Sequence, residues 1–135
     1  MFTFEKQIRV RYADTDQMGY VYYGNYAQYY EEARTEAFRA LGYPYKNLET
    51  EGIMMPVRSM NVRYYMPARY DDLLTVKVII PEMPLAKFIF DYEVYNEEKI
   101  LINQGSTILV LIEKNTNKIL RCPDDLKKIF APYFS

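Results

Sequence analysis

The densest chemistry-bearing stretch of the chain is Asp14-Thr15-Asp16-Gln17-Met18-Gly19. Two carboxylates two residues apart share one face of an extended strand, whereas a turn between them sends them different ways. One can then fix the loop while the other faces a cleft. The same loop runs through Tyr22-Tyr23-Gly24-Asn25 into a helical pattern. The first N–H groups of a helix have no partner inside it, and its N-terminus favours developing negative charge. A carboxylate beside such a helix end is the minimum equipment for acyl transfer to water. The competing reading is plain turn chemistry, in which Asp bonds to nearby backbone. A calcium loop fits poorly, because apolar and aromatic residues fall where later ligands should stand.

Composition removes most other catalytic designs. The 135 residues include no His, no Trp and one Cys. A Ser-His-Asp triad, a Cys-His pair and an HExxH zinc site are therefore excluded within one chain. One Cys makes neither an intrachain disulfide nor an all-cysteine zinc site. Any general base must be Asp, Glu, Lys or Tyr. Seventeen basic and 18 acidic residues leave a net charge of −1, so no bulk field draws the chain to nucleic acid or an anionic membrane. Fifteen Tyr against 7 Phe give most of the aromatic mass a polar tip, which suits clefts and interfaces as well as cores.

The opening MFTFEKQIRVRY alternates and carries charge, unlike a signal peptide, and the longest apolar run is only Ile108 to Ile112. A soluble, cytoplasmic protein with Cys122 as a free structural thiol is the expectation. Arg58, Arg63, Arg69 and Lys87 are scattered along strand patterns, and they reach a phosphate tail only if the fold or an oligomer gathers them. Asp71-Asp72 reads as a turn.

The elements that must position the acidic loop follow from periodicity. Phe4 to Tyr12 alternates as a strand, with Lys6 interrupting its apolar face as at a sheet edge. Tyr26, Tyr30, Ala33, Ala37 and Leu41 recur at helical spacing, which predicts a helix over Tyr26 to Leu41. Asn25 suits its N-cap, and Gly42 its first residue beyond the end. Period-two alternation then predicts strands over Arg58–Met66, Leu73–Ile80, Lys87–Tyr95 and Ile100–Ile112, with a bulge at Gly105. Pro123 to Ala131 reads as a short helix. The order is that of a single α+β domain over residues 1–135, one helix laid on an antiparallel sheet.

The segments RVRYADTDQMGYVYYGNYAQYYEEARTEAFRALG, VRYYMPARYDDLLTV and FDYEVYNEEKILINQGSTILVLIEKNTNKILRCPDDL together resemble the hotdog-fold acyl-CoA thioesterases of the 4-hydroxybenzoyl-CoA thioesterase-like family. The ordered motif is Asp14, Asp16, Gly19, Asn25-Tyr26 and Glu31 to Arg34. The resemblance implies an antiparallel sheet wrapped around one long central helix, with a short C-terminal helix. It implies a homodimer or homotetramer with active sites at the subunit interface. It assigns Asp16 as general base or nucleophile, the Tyr23 backbone N–H as oxyanion donor, and the neighbouring Gly24 N–H as a second. Tyr22, Asn25, Tyr64, Arg69 and Lys87 are the candidates for substrate contact. No metal and no cofactor are implied, CoA being part of the substrate. Many relatives carry His in the loop, whereas here Tyr20 follows Gly19, so a His-dependent polarising role is absent. An acyl-carrier-protein thioesterase and a non-catalytic acyl-CoA-binding module are the alternatives.

Overall fold

The computed structural model describes residues 1–134. Its frame is β1 (Phe2–Arg9), α1 (Tyr26–Ala40), α2 (Tyr45–Thr50), β2 (Ile53–Met54), β3 (Val57–Tyr64), β4 (Leu73–Ile80), β5 (Lys87–Tyr95), β6 (Leu101–Glu113), β7 (Ile119–Leu120) and α3 (Asp124–Phe130). The sheet runs β1-β4-β5-β6 with every pair antiparallel, and β6 also pairs β3, β2 and β7 along its length. One long helix lies on this curved sheet, and the hotdog arrangement expected from the sequence is the one observed.

Alternation builds the core. Leu74, Val76, Val78 and Ile80 of β4 point inward with Phe88, Phe90, Tyr92 and Val94 of β5. Tyr26, Tyr29, Tyr30, Ala33, Ala37 and Phe38 form the buried stripe of α1. The small residues bring the helix close to the sheet, where the Tyr30 and Tyr92 rings stack at 4.1 Å. Tyr92 also meets the buried Arg34 guanidinium through its hydroxyl at 3.4 Å. The helix ends as its sequence predicts. Gly42 has φ of 83°, and the Gly42 and Tyr43 N–H groups donate back to the Arg39 and Phe38 carbonyls. That is a Schellman closure, which needs the left-handed conformation glycine adopts without strain.

Three expectations are corrected. Gly105 is not a bulge, for it pairs in unbroken register with Val62 and Tyr92. Its lack of a side chain admits Tyr30, because a Cβ there would lie 2.6 Å from the Tyr30 hydroxyl and 2.7 Å from the Asn61 carbonyl oxygen. The first strand spans Phe2–Arg9, since the chain turns into a 3-10 helix at Tyr12–Asp14 and leaves Tyr12 exposed. Asn25 does not cap α1 with its side chain. The short elements α2, β2 and β7 carry too few residues for periodicity to mark them.

β1 lies at one edge of the sheet, as Lys6 suggested. At the other edge β3 is exposed almost throughout, and Val57, Met60 and Tyr64 are among the large apolar side chains facing solvent. Among the described residues no helix is long and apolar enough to cross a membrane.

Candidate active site

The two carboxylates of the loop have separate duties. Asp14 is buried, and its Oδ2 accepts the Arg11 N–H at 2.9 Å and the Tyr29 hydroxyl at 3.0 Å. Its Oδ1 accepts the Arg11 guanidinium at 3.1 Å. Burial pushes the Asp14 carboxyl up, but the hydrogen bonds from Arg11 and Tyr29 outweigh it and hold the group below the ordinary carboxylate value. The Asp14 carbonyl oxygen accepts the Tyr22 N–H at 2.9 Å and the Asn25 Nδ2 at 2.7 Å. Asp14 therefore anchors the loop to α1, and the Asn25 amide clamps the loop rather than capping the helix.

Asp16 is only half-buried. Its backbone closes a tight turn, with Asp16 N–H donating to the Tyr20 carbonyl at 2.8 Å and Gly19 N–H to the Asp16 carbonyl at 3.0 Å. Gly19 sits at φ of 81°, which explains the glycine three residues after the second Asp. Oδ1 of Asp16 accepts the Met18 and Tyr20 N–H groups at 2.9 and 3.3 Å. No donor among the described residues reaches Oδ2, so the turn fixes one oxygen and leaves the other for a reactant.

That carboxylate lines a cleft of about 320 Å³ with Met18, Tyr20, Tyr23, Tyr64 and Met66. Val21, Tyr26, Tyr65 and Pro67 complete its walls. The sequence pattern does not mark Met18, Tyr65, Met66 or Pro67 as site residues. Tyr65 and Met66 both donate their N–H groups to the Ile102 carbonyl, so the chain leaving β3 bends in a way period two does not encode.

The helix start stands in the same cleft. Tyr23–Asn25 form a 3-10 turn that runs into α1. Asn25 N–H donates to the Tyr22 carbonyl at 2.8 Å, and Tyr26 N–H to the Tyr23 carbonyl. The Tyr23 and Gly24 N–H groups have no acceptor among the described residues. Tyr22 folds over Gly24: a Cβ there would lie 2.8 Å from the Tyr22 ring. The Tyr64 hydroxyl donates to the Tyr23 carbonyl at 3.1 Å, and its ring meets Tyr26 edge-on at 5.6 Å.

The remaining candidates are spread around this centre. Tyr22 packs on Tyr23 at 4.5 Å, outside the cleft lining. Arg69 is exposed, with its guanidinium over the Tyr20 ring at 5.1 Å, which sets a cation at the rim. Lys87 lies apart, in a different depression with Met83, Leu85 and Ile89. A larger polar groove of about 440 Å³ crosses the sheet between Arg63, Asp91, Glu93 and Gln104. Those residues alternate with inward-facing ones, so the groove is on the face away from α1 and has no helix end beside its carboxylates. Among the described residues no cluster of three His, Cys, Asp or Glu is placed to hold a metal ion.

A carboxylate with one oxygen that no described donor reaches, sharing a cleft with the Tyr23 turn that opens α1, is suited to attack on a carbonyl. The family model of the thioesterase-like superfamily matches residues 10–130, which includes all of this machinery. The chain belongs to the thioesterase-like superfamily. Within that superfamily it is 36% identical over 110 residues to the acyl-CoA thioester hydrolase YbgC of Escherichia coli O157:H7, covering 82% of each chain. It is 27% identical over 128 residues to the acyl-CoA thioesterase YbgC of Haemophilus influenzae, covering 94% of this chain and 93% of that one. Its structure superposes with a TM-score of 0.94 on a DHNA-CoA thioesterase from Staphylococcus aureus, at 33% identity, covering 98% of this chain and 91% of the other. Tyr20 follows Gly19 in this superfamily member, and the Tyr20 N–H serves the Asp16 turn.

Proposed function

We propose that the protein hydrolyses acyl-CoA thioesters to the free acid and CoA, with Asp16 as the reacting carboxylate. The observation that carries this reading is the Asp16 Oδ2, reached by no donor among the described residues, in one cleft with Tyr23, the first residue of the turn that opens α1. Asp16 acts either by taking a proton from an attacking water or by attacking the thioester carbon itself. In both routes the carbonyl oxygen gains negative charge, and the Tyr23 and Gly24 N–H groups stabilise it. Collapse of the tetrahedral species expels the CoA thiolate. The water route gives the free acid directly. The nucleophilic route gives an aspartyl–acyl anhydride, which water then cleaves to the free acid and the restored Asp16 carboxylate. With no histidine in the chain, no imidazole of this chain polarises the carbonyl.

The cleft walls of Met18, Val21, Tyr26 and Met66 suit an apolar acyl group, and Arg69 at the rim suits the phosphates of CoA. The exposed apolar edge at β3 supports pairing with a second copy of the chain, because an unpaired flat edge is a template for another strand. Acyl-CoA and a free buried thiol at Cys122 both fit a reducing cytoplasm. The test is CoA release from acetyl-, hexanoyl-, palmitoyl- and benzoyl-CoA by the wild type and by Asp16→Asn. Turnover lost in the variant supports the reading, and wild-type rates in the variant overturn it.

A further inference from the structure

We propose that Tyr64 is a positioning residue for the oxyanion site, acting through the peptide bond between Tyr23 and Gly24; this rests on the thioester-hydrolase reading above. The Tyr64 hydroxyl donates to the Tyr23 carbonyl at 3.1 Å. That carbonyl and the Gly24 N–H are opposite ends of one planar unit, so holding the oxygen sets the direction of the N–H. The Tyr26 N–H donates to the same oxygen from within the helix start. The carbonyl thus has one partner from its own turn and one from β3, and the second ties the Tyr23–Gly24 peptide to β3.

The neighbouring donor is held differently. The Tyr23 N–H belongs to the peptide whose carbonyl is that of Tyr22, and this carbonyl accepts only the local Asn25 N–H at 2.8 Å. Both free N–H groups therefore carry a hydrogen bond at the other end of their peptide, but only Gly24 is set by a side chain from another element. A hydrogen bond accepted at the carbonyl also polarises the amide and makes its N–H a stronger donor. The Tyr64 ring is steadied against Tyr26, which is buried, so the hydroxyl is aimed by packing. At position 24 a Cβ would lie 2.8 Å from the exposed Tyr22 ring, which would have to swing aside.

The experiment is Tyr64→Phe, which keeps the ring and removes the hydroxyl. It has two arms. With five glycines in the chain, ¹⁵N-glycine labelling gives a short list of amide resonances to assign. Loss of the bond to the Tyr23 carbonyl moves the Gly24 ¹⁵N resonance upfield and leaves Gly19, Gly42 and Gly52 in place. In steady-state assays on whichever of the four CoA esters the wild type turns over, kcat falls by about three- to tenfold while KM stays within about twofold, part of the loss expected for a whole oxyanion donor. A raised KM with kcat unchanged would make Tyr64 a wall of the cleft and overturn the proposal. A Gly24 resonance that stays put would overturn it as well. Failure of the wild type on every ester sinks the hydrolase reading instead, so the two failures are told apart by whether the wild type itself turns over.

Discussion

The Tyr29 hydroxyl donates to Asp14 Oδ2 at 3.0 Å, and through that bond the buried face of α1 grips the acidic loop from inside. The Arg11 N–H and guanidinium complete the grip. Asp14→Asn is expected to lower stability at neutral pH by about 1–3 kcal/mol, because a buried charge-assisted network loses its anion. The sign of the pH dependence follows from the lowered Asp14 carboxyl. Its contribution is complete above the ordinary carboxylate range near about 3.9 and is lost as pH falls through the folded value. Thermal melts of both proteins at pH 7, 5 and 3 should show the gap widest at pH 7 and narrowing at pH 3; a gap that grows with acid contradicts this assignment.

Asp16 is expected to matter to turnover and not to folding. Its half-buried position and its turn bonds through Oδ1 leave Asp16→Asn able to keep the same Met18 and Tyr20 N–H contacts. The amide should drop kcat by about a hundredfold or more, as for other acid–base groups, with the melting temperature nearly unchanged. Hydrolysis in ¹⁸O-water under single turnover then tests for an anhydride cleaved at the aspartyl carbon. Label appearing in the Asp16 carboxylate marks the nucleophilic route.

Asn25 offers a test of clamp against cap. Its Nδ2 donates to the Asp14 carbonyl at 2.7 Å and its side chain caps nothing. Asp is a good N-cap residue but has no N–H to give a carbonyl. Asn25→Asp should therefore be no better than Asn25→Ala, each losing about 1 kcal/mol in chemical denaturation. Rescue by Asp would restore the capping role.

Gly105→Ala probes how closely α1 approaches the sheet. The added methyl would lie within 2.7 Å of both the Tyr30 ring and the Asn61 carbonyl, and backbone cannot yield as a flexible side chain does. Overpacking of this kind costs about 1–3 kcal/mol. Denaturant midpoints should fall accordingly, while Gly105→Ser, with a still larger group, should be no milder.

Strands with two clear faces were the legible part. Leu73–Ile80 and Lys87–Tyr95 have the bounds that alternation predicts, because half of each strand is buried against α1. The helix start at Tyr26 and the turn at Gly42 were equally readable, since both depend on local chemistry. Local sequence was less informative about Gly105, whose smallness answers to Tyr30 across 75 residues of chain rather than to a bulge. The separation of Asp14 from Asp16 was anticipated as a possibility of the turn, but which of them is buried depends on Tyr29 and Arg11. The walls at Met18, Tyr65 and Met66 come from loop bends, where no period operates.

The central strand β6 has a kinetic meaning. It holds β5, β3, β2 and β7 together, so Val57 waits for Leu109 and Tyr64 for Asn103 before either can pair. β1 likewise waits for β4, with Phe2 opposite Ile80. Sheets closed by such distant partners fold slowly compared with helical bundles. On the ribosome, β3 has no strand partner until residues beyond 100 have emerged, and until then the nascent chain leaves Val57, Met60 and Tyr64 open to whatever is nearby.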